Sequence, residues 1–213
     1  MNIHQVIGDK DMSRALILVD IQNDFCKGGS LEVPKANKII PVVNKIIEGD
    51  WDLVVATKDW HPKEHKSFAS NHEGKKPFEV IKLRGLDQVL WPDHCVQGTK
   101  GAELHPDLYE ECIDEIVVKG TNPEVDSYSG FFDNDKVFLT DLADILDDYD
   151  IDEVYIVGLA TDYCVKFTAL DAVDLGFETY VITDAVAGLD GAEDALVEMQ
   201  DSGVDLIVSE AIY

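Results

Sequence analysis

Basic residues are scarce in this sequence of 213 residues, which contains 17 Lys and Arg against 43 Asp and Glu and carries a formal net charge of -26. DNA, RNA and anionic membranes are bound mainly through a surplus of positive charge on the protein. The composition therefore argues against nucleic acids and membranes as partners.

Long apolar runs are also missing. The first 14 residues contain no apolar segment of the length that a signal peptide needs, and no later stretch approaches the roughly 18 consecutive apolar residues of a membrane span. The cysteines, at positions 26, 95, 112 and 164, form no C-x-x-C pair, which favours reduced thiols over a disulfide framework. We therefore expect a cytoplasmic protein with free thiols.

Short runs rich in β-branched residues recur along the chain, with helical patterns between most of them. The runs lie at 15–21, 53–60, 115–120, 153–160, 178–186 and 205–212, and the helical patterns at 37–48, 139–148, 161–175 and 190–202. Almost continuously apolar runs are typical of strands covered on both faces. After a polar N-terminal extension at 1–14, the pattern predicts one doubly wound, Rossmann-like α/β domain over 15–213, with six mainly parallel strands and helices on both faces.

Chemically useful side chains stand where these predicted strands end. Asp20, Asp59 and Lys119 end the first three strands, and Cys164 follows the fourth in the first turn of a predicted helix. Ligands of open α/β sheets bind outside the carboxyl ends of the strands. We therefore expect two carboxylates, an ammonium group and a thiol to converge there.

Cys164 is the candidate nucleophile of this group. It lies in GLATDYCV, where Thr161 is the expected helix N-cap. A helix N-terminus and a cation such as Lys119 would lower the pKa of the thiol and make the thiolate available. The alternative is that Cys164 is a small buried hydrophobe, as most free cysteines are. Cys112 lies among carboxylates in LYEECIDE and receives no role.

A metal site is the second hypothesis. Asp59 and His61 are two residues apart, so both side chains point to the same side of an extended segment. With His94 they could supply two imidazoles and one carboxylate and leave coordination positions open. One alternative is an ordinary Asp59–His61 pair without metal. Another is a non-haem iron oxygenase, an all-β architecture that the parallel-strand pattern disfavours.

Six segments, in the same order, resemble those of the nicotinamidases (pyrazinamidases), members of the isochorismatase-like cysteine hydrolases. They are VDIQNDFC, KDWHP, SFAS, WPDHCVQGT, KGTNPEVDSYSGFFDN and GLATDYCVKFTALDA. The resemblance runs from about residue 14 to the C-terminus. It implies an isochorismatase-like fold and hydrolysis of nicotinamide to nicotinate and ammonia, a reaction that feeds NAD salvage.

The resemblance also implies roles for individual residues. Asp20, Lys119 and Cys164 correspond to the catalytic triad of the family. Its ligands to one divalent metal ion correspond to Asp59, His61 and His94, for which zinc fits best and iron or manganese would be accepted.

Further positions correspond to the substrate pocket of the family, namely Phe25, Trp91, Tyr128 and Leu159. The N–H of Ala160, which follows a cis peptide bond in the family, would form the oxyanion hole together with the N–H of Cys164. His65 is the nearest candidate for a fourth metal ligand found in some members, and we assign it no role.

Three possible functions are therefore considered. The first is a nicotinamidase. The second is a related C–N hydrolase acting on a carbamoyl or ureido substrate, which would not be expected to keep the D-x-H and WPDHC ligands. The third is a non-catalytic binding protein, in which Asp20, Lys119 or Cys164 would be replaced. The sequence does not fix the oligomeric state, and a homo-oligomer is compatible with it.

Overall fold

The central sheet has six strands, all parallel, within residues 12–212, which the computed structural model describes. The strands are β1 (Arg14–Val19), β2 (Leu53–Asp59), β5 (Glu115–Lys119), β6 (Glu153–Leu159), β7 (Glu178–Ala187) and β8 (Asp205–Ile207). Their order across the sheet is β5–β2–β1–β6–β7–β8. The prediction of a six-stranded, mainly parallel α/β sheet is confirmed.

Helices cover both faces of this sheet. They are α1 (Ala36–Ile47), α2 (Leu142–Asp148), α3 (Lys166–Leu175) and α4 (Ala192–Asp201). Strand β1 shows why the strands are continuously apolar: Leu16 and Leu18 pack in the core on the α1 side, while Ile17 and Val19 pack in the core that contains residues of α2, α3 and α4. Each strand residue therefore meets an apolar layer whichever way it points.

The segment between β2 and β5 contains a feature that the sequence pattern did not reveal. An antiparallel hairpin forms from β3 (Val80–Leu83) and β4 (Leu86–Val89), separate from the main sheet. Both strands are short and mostly exposed, so they lack the buried apolar runs by which the other strands were recognised. The hairpin matters because β4 carries one side chain back towards the functional site.

Several boundaries differ from the predictions. The last strand ends at Ile207, and Ser209–Ile212 forms a 3₁₀ turn instead. The predicted helix at 161–175 begins with a π-helical turn over Thr161–Val165, whose N-cap is Ala160, so Thr161 is not the cap. Arg14 already pairs with Glu153 in the sheet. The rest of the predicted extension, up to residue 11, lies outside the described residues.

No helix within residues 12–212 combines the length and apolar character needed to cross a membrane.

Gly158 lets the ends of β1 and β6 approach closely. It pairs with Val19 in the sheet and has a φ of 118°. A Cβ at this position would lie 2.1 Å from the backbone oxygen of Val19. Glycine is therefore required, and it brings the residues after β1 next to those after β6.

Candidate active site

The four strand-end residues do converge. Asp20 directly follows β1, while Asp59 and Lys119 end β2 and β5 and are paired in the sheet register. Cys164 projects from the π-helical turn after β6. All four side chains are buried. The parallel sheet thus places their functional groups at one edge, as expected for an open α/β fold.

Lys119 is the centre of this group. Its Nζ lies 2.9 Å from Asp20 Oδ2, 2.5 Å from Asp59 Oδ1 and 3.3 Å from Cys164 Sγ, and it donates to the carbonyl oxygen of Ser127 at 2.8 Å. Burial alone would lower the pKa of Lys119, but the carboxylates of Asp20 and Asp59 hold it well above its usual value. The ammonium group therefore stays charged and joins both carboxylates to the thiol.

The two carboxylates differ in their pKa. Burial raises the pKa of Asp20, and the attraction of Lys119 offsets this only in part. Burial also acts to raise the pKa of Asp59, but Lys119 and His61 outweigh it and hold that pKa well below its ordinary value. Asp20 also accepts a hydrogen bond from Thr57 Oγ1 at 2.7 Å. Asp59 is thus a permanent anion, whereas Asp20 is suited to gain and lose a proton.

The pKa of the Cys164 thiol departs from the sequence prediction. Burial raises it well above the ordinary value, Asp20 and Asp59 raise it further, and Lys119 opposes them without prevailing. The expectation of a lowered thiol pKa is wrong, because sequence spacing reveals neither the burial of the sulfur nor the two carboxylates that lie within 4.8 Å of it. The acceptor atoms of Asp20 and Asp59 and the sulfur lie within 4.8 Å of one another, so a proton can be shared within the group.

His61 and His94 flank the other side of Asp59. Their Nδ1 atoms lie 2.9 Å from the Gly120 carbonyl and 2.8 Å from the Pro92 carbonyl, so each Nδ1 carries the proton and donates it. When the ring is neutral, Nε2 then carries the lone pair, and the Nε2 atoms of His61 and His94 lie 3.4 Å and 3.6 Å respectively from Asp59 Oδ2.

This arrangement fits a divalent metal ion. Among the described residues, the buried Nε2 atom of His61 finds no hydrogen-bond partner, and the ligand atoms of Asp59, His61 and His94 lie within 4.8 Å of one another. Imidazoles held by an Nδ1–H to carbonyl bond, beside a carboxylate, are characteristic of metal ligands in proteins.

Gly120 leaves space for the His61 ring of this cluster. A Cβ on Gly120, which has a φ of 65°, would lie 2.3 Å from His61 Cε1. The missing side chain therefore makes room for the imidazole, while the Gly120 carbonyl orients it.

His65 is held differently. Its Nδ1 accepts the backbone N–H of Ser67 at 3.2 Å, and its Nε2 lies 3.2 Å from the carbonyl oxygen of Val125. Burial lowers its pKa to about 4, so the ring is neutral at neutral pH. Both ring nitrogens of His65 already have partners, whereas His61 Nε2 has no hydrogen-bond partner within residues 12–212.

An aromatic-walled cavity opens above Cys164 and Asp59. Of the residues predicted to line it, Phe25, Trp91 and Tyr128 do so, together with Ala160. The fourth predicted wall residue, Leu159, is completely buried in the core on the α1 side and does not line the cavity. The end of β6 points this side chain into the sheet packing, so that prediction is not borne out by the cavity lining.

The cavity also has walls that the sequence did not reveal: Leu31, Val33, Asp126, Tyr163 and Leu189. Tyr163, whose ring centroid is 4.9 Å from that of Trp91, directly precedes Cys164, and this adjacency was the available signal. The others come from loops whose approach depends on tertiary packing.

The turn before the thiol contains the cis peptide bond that the resemblance implied, between Leu159 and Ala160. The Ala160 carbonyl accepts hydrogen bonds from the N–H groups of Tyr163 and Val165 at 3.0 and 3.2 Å, which fixes the start of the π-helical turn. Elsewhere, Cys26, Cys95 and Cys112 are free thiols like Cys164, as predicted.

Comparison with known proteins places the chain in a family. Residues 14–211 match the model of the isochorismatase domain. A nicotinamidase of Escherichia coli (strain K12) is 50% identical over 202 residues, which cover 91% of this chain and 93% of the relative.

Solved structures agree with this placement. A nicotinamidase/pyrazinamidase of Acinetobacter baumanii superposes with a TM-score of 0.91 at 48% identity, covering 96% of this chain and 100% of the other. A pyrazinamidase of Pyrococcus horikoshii in complex with zinc has a TM-score of 0.75 at 43% identity, covering 92% and 99%. The chain therefore belongs to the isochorismatase family, within its nicotinamidase branch.

Proposed function

We propose that the protein is a nicotinamidase that hydrolyses nicotinamide to nicotinate and ammonia through a covalent thioester on Cys164. The observation that carries the proposal is the position of Lys119, whose ammonium lies within 3.3 Å of Asp20, Asp59 and Cys164 at the floor of an aromatic cavity. The nicotinamidase relatives support the same activity. Its product would enter NAD salvage.

The first half of the reaction forms the thioester. Asp20 takes the proton of the Cys164 thiol as the sulfur attacks the carboxamide carbon and forms the C–S bond. Lys119 compensates the charge on both groups. The backbone N–H groups of Ala160 and Cys164 would stabilise the oxyanion, since N–H groups at the start of a helical turn lack intrahelical partners. The C–N bond then breaks, and Asp20 returns the proton to the departing ammonia.

The second half regenerates the thiol. Asp20 takes a proton from a water molecule as that water attacks the thioester carbon. The C–S bond breaks to release nicotinate, and the sulfur regains a proton from Asp20. The raised pKa of Asp20 suits this role, because a carboxyl group that titrates closer to neutrality is the better base and acid.

Asp59, His61 and His94 would hold a divalent metal ion at one side of the cavity. When bound, this ion supplies a Lewis acid that can accept the pyridine nitrogen, which resembles an imidazole as a ligand. Zinc suits two imidazoles and a carboxylate best, and iron or manganese would also be accepted. The residues that would hold the ion, together with those that line the cavity, would set the position of the ring relative to Cys164.

The carbamoyl or ureido hydrolase is the second candidate. It would use the same Asp20, Lys119 and Cys164 but would have no use for a ring-binding cluster. The protonated Nδ1 atoms of His61 and His94 and the free Nε2 lone pairs beside Asp59 favour the nicotinamidase.

The test is ammonia release from nicotinamide by the purified protein, with and without added zinc. We expect turnover that depends on the metal and is greater than that of a ureido substrate. Absence of ammonia from nicotinamide in the metal-loaded protein, with release from the ureido compound, would favour the second candidate.

A further inference from the structure

Asp126 is a buried carboxylate to which the proposed mechanism gives no role. It is 3% exposed and lies in the wall of the cavity above Cys164. Its Oδ1 accepts the backbone N–H of Ser127 at 2.9 Å, and its Oδ2 accepts Gln88 Nε2 at 3.0 Å. Within residues 12–212, no lysine or arginine forms an ion pair with it. A buried carboxylate without a cation is costly unless another positive charge is supplied.

The positive charge that would compensate Asp126 is expected on the side where the His61 imidazole lies. A carboxylate oxygen of Asp126 lies within 4.8 Å of ligand atoms of His61 and His65. His61 also belongs to the cluster with Asp59 and His94. Because His65 already uses both ring nitrogens, the Asp59 cluster is the better place for a divalent ion. An ion bound there would compensate the charge of Asp126 through space.

Gln88 holds Asp126 in this position. It lies on β4 of the separate hairpin and is 3% exposed. Its Nε2 donates to Asp126 Oδ2 and to the Val89 carbonyl at 2.8 Å, and lies 3.2 Å from the Tyr128 hydroxyl. The hairpin thus fixes both a charge beside the metal cluster and an aromatic wall of the cavity.

We propose that Asp126, held by Gln88, is a positioning residue for the metal ion, a buried negative charge that tightens binding of a divalent cation at Asp59, His61 and His94 without ligating it. The inference rests on the proposed function, because it takes the Asp59 cluster as the metal site. Residues beside metal ligands alter metal affinity by about 10- to 100-fold.

The test measures the zinc dissociation constant of the full-length protein by competition with a chromophoric chelator. Asp126→Asn should weaken zinc binding by about 10- to 100-fold. Asp133→Asn is the matched control, since Asp133 is a buried loop carboxylate that accepts the N–H groups of Val137 and Phe138 and does not line the cavity. Its zinc affinity should equal that of the parent. Equal affinities for the parent and Asp126→Asn would overturn the proposal.

Two double variants keep the test informative if the Asn side chain, facing the Gln88 amide, impairs folding. Gln88→Glu with Asp126→Asn exchanges the two groups, keeping the hydrogen bond and the charge, and should remain much closer to the parent in zinc affinity. Gln88→Met with Asp126→Leu removes both polar groups and should bind zinc at least about tenfold more weakly than the exchanged pair. Equal affinities for the two double variants would overturn the proposal.

Two further variants separate this inference from the proposed function. If the parent binds no zinc, or if Asp59→Asn leaves its affinity unchanged, the metal site of the proposed function fails. If zinc binding depends on Asp59 but not on Asp126, only the present inference fails. A loss with His65→Gln as large as with Asp59→Asn would make Asp126 a direct ligand beside His61 and His65, which would also overturn it.

Discussion

Lys119 lies between two regions that each contain an aspartate at the end of a strand, but the pKa values of the two aspartates are shifted in opposite directions. The thiol region contains Asp20 and Cys164, and the imidazole region contains Asp59 and its two histidines. Each region has an aspartate at a strand end, and both aspartates contact the same ammonium group. Burial prevails at Asp20 and raises its pKa, whereas Lys119 and His61 prevail at Asp59 and lower its pKa.

The opposite pKa shifts of Asp20 and Asp59 show how the surroundings can give two aspartates different roles. When the pKa values of two neighbouring carboxyl groups are shifted in opposite directions, one group commonly acts as the acid or base while the other stays ionised. We infer that the thiol region exchanges protons and forms bonds, while the imidazole region keeps its charge and binds. Variants in the two regions should therefore fail in different ways.

The largest effect is expected in the thiol region. Cys164→Ala should lower kcat for nicotinamide by roughly five to six orders of magnitude, as found when a covalent nucleophile is removed, because the thioester route is lost. Zinc content and nicotinamide binding should persist, since the imidazole region is intact. Steady-state ammonia release and metal analysis check both. Substantial turnover by zinc-loaded Cys164→Ala would assign the chemistry to a metal-bound water instead.

Lys119→Met removes the group that both regions share. Without the ammonium, the carboxylate of Asp20 and the forming thiolate repel each other, so the pKa of the Cys164 thiol rises further and the thiolate forms only at higher pH. The acid limb of the kcat/KM profile should move to higher pH, and the rate should fall by about three orders of magnitude or more.

Alkylation by iodoacetamide reports the Cys164 thiolate without turnover. It should be slower in Lys119→Met than in the parent at the same pH. Equal alkylation rates would show that Lys119 positions Asp20 without tuning the thiol.

The imidazole region should affect substrates unequally. Loss of the metal by chelation or by His61→Ala should impair nicotinamide by about 10- to 100-fold more than benzamide, whose ring has no nitrogen to coordinate. Parallel kcat/KM measurements for the two amides check this. Equal losses would move the metal from ring binding to a structural or general electrostatic role.

The smallest effect is expected outside both regions. Cys112 is exposed and does not line the cavity, so Cys112→Ala should leave kcat/KM unchanged and alter the free energy of unfolding by no more than about 0.5 kcal/mol. A large loss of activity in this variant, with Cys164→Ala active, would reverse our assignment of the thiols.

The sequence predicted the sheet well because its strands are buried on both faces and read as continuous apolar runs. It predicted the convergence of Asp20, Asp59, Lys119 and Cys164 because each lies at or just after the end of one of these strands. It could not predict the pKa of Cys164. That shift depends first on the burial of the sulfur and then on three charged groups, Lys119, Asp20 and Asp59, which only the folded chain brings beside it.

Other parts of the site were also beyond the sequence. The hairpin that carries Gln88 is short and exposed, so it has no apolar pattern to recognise. Leu159 was assigned to the pocket by resemblance, but the direction in which a side chain leaves the end of β6 is decided by core packing, and it points inwards.

The most direct test of the account is the covalent intermediate. Nicotinamide would be mixed with the metal-loaded protein, the reaction stopped with acid during turnover, and the digested protein analysed by mass spectrometry. We expect a nicotinoyl group on the peptide that contains Cys164, lost on treatment with hydroxylamine and absent from the peptides that contain Cys26, Cys95 and Cys112. Sustained turnover with no acyl group on Cys164, in a quench that preserves a synthetic thioester, would contradict the account.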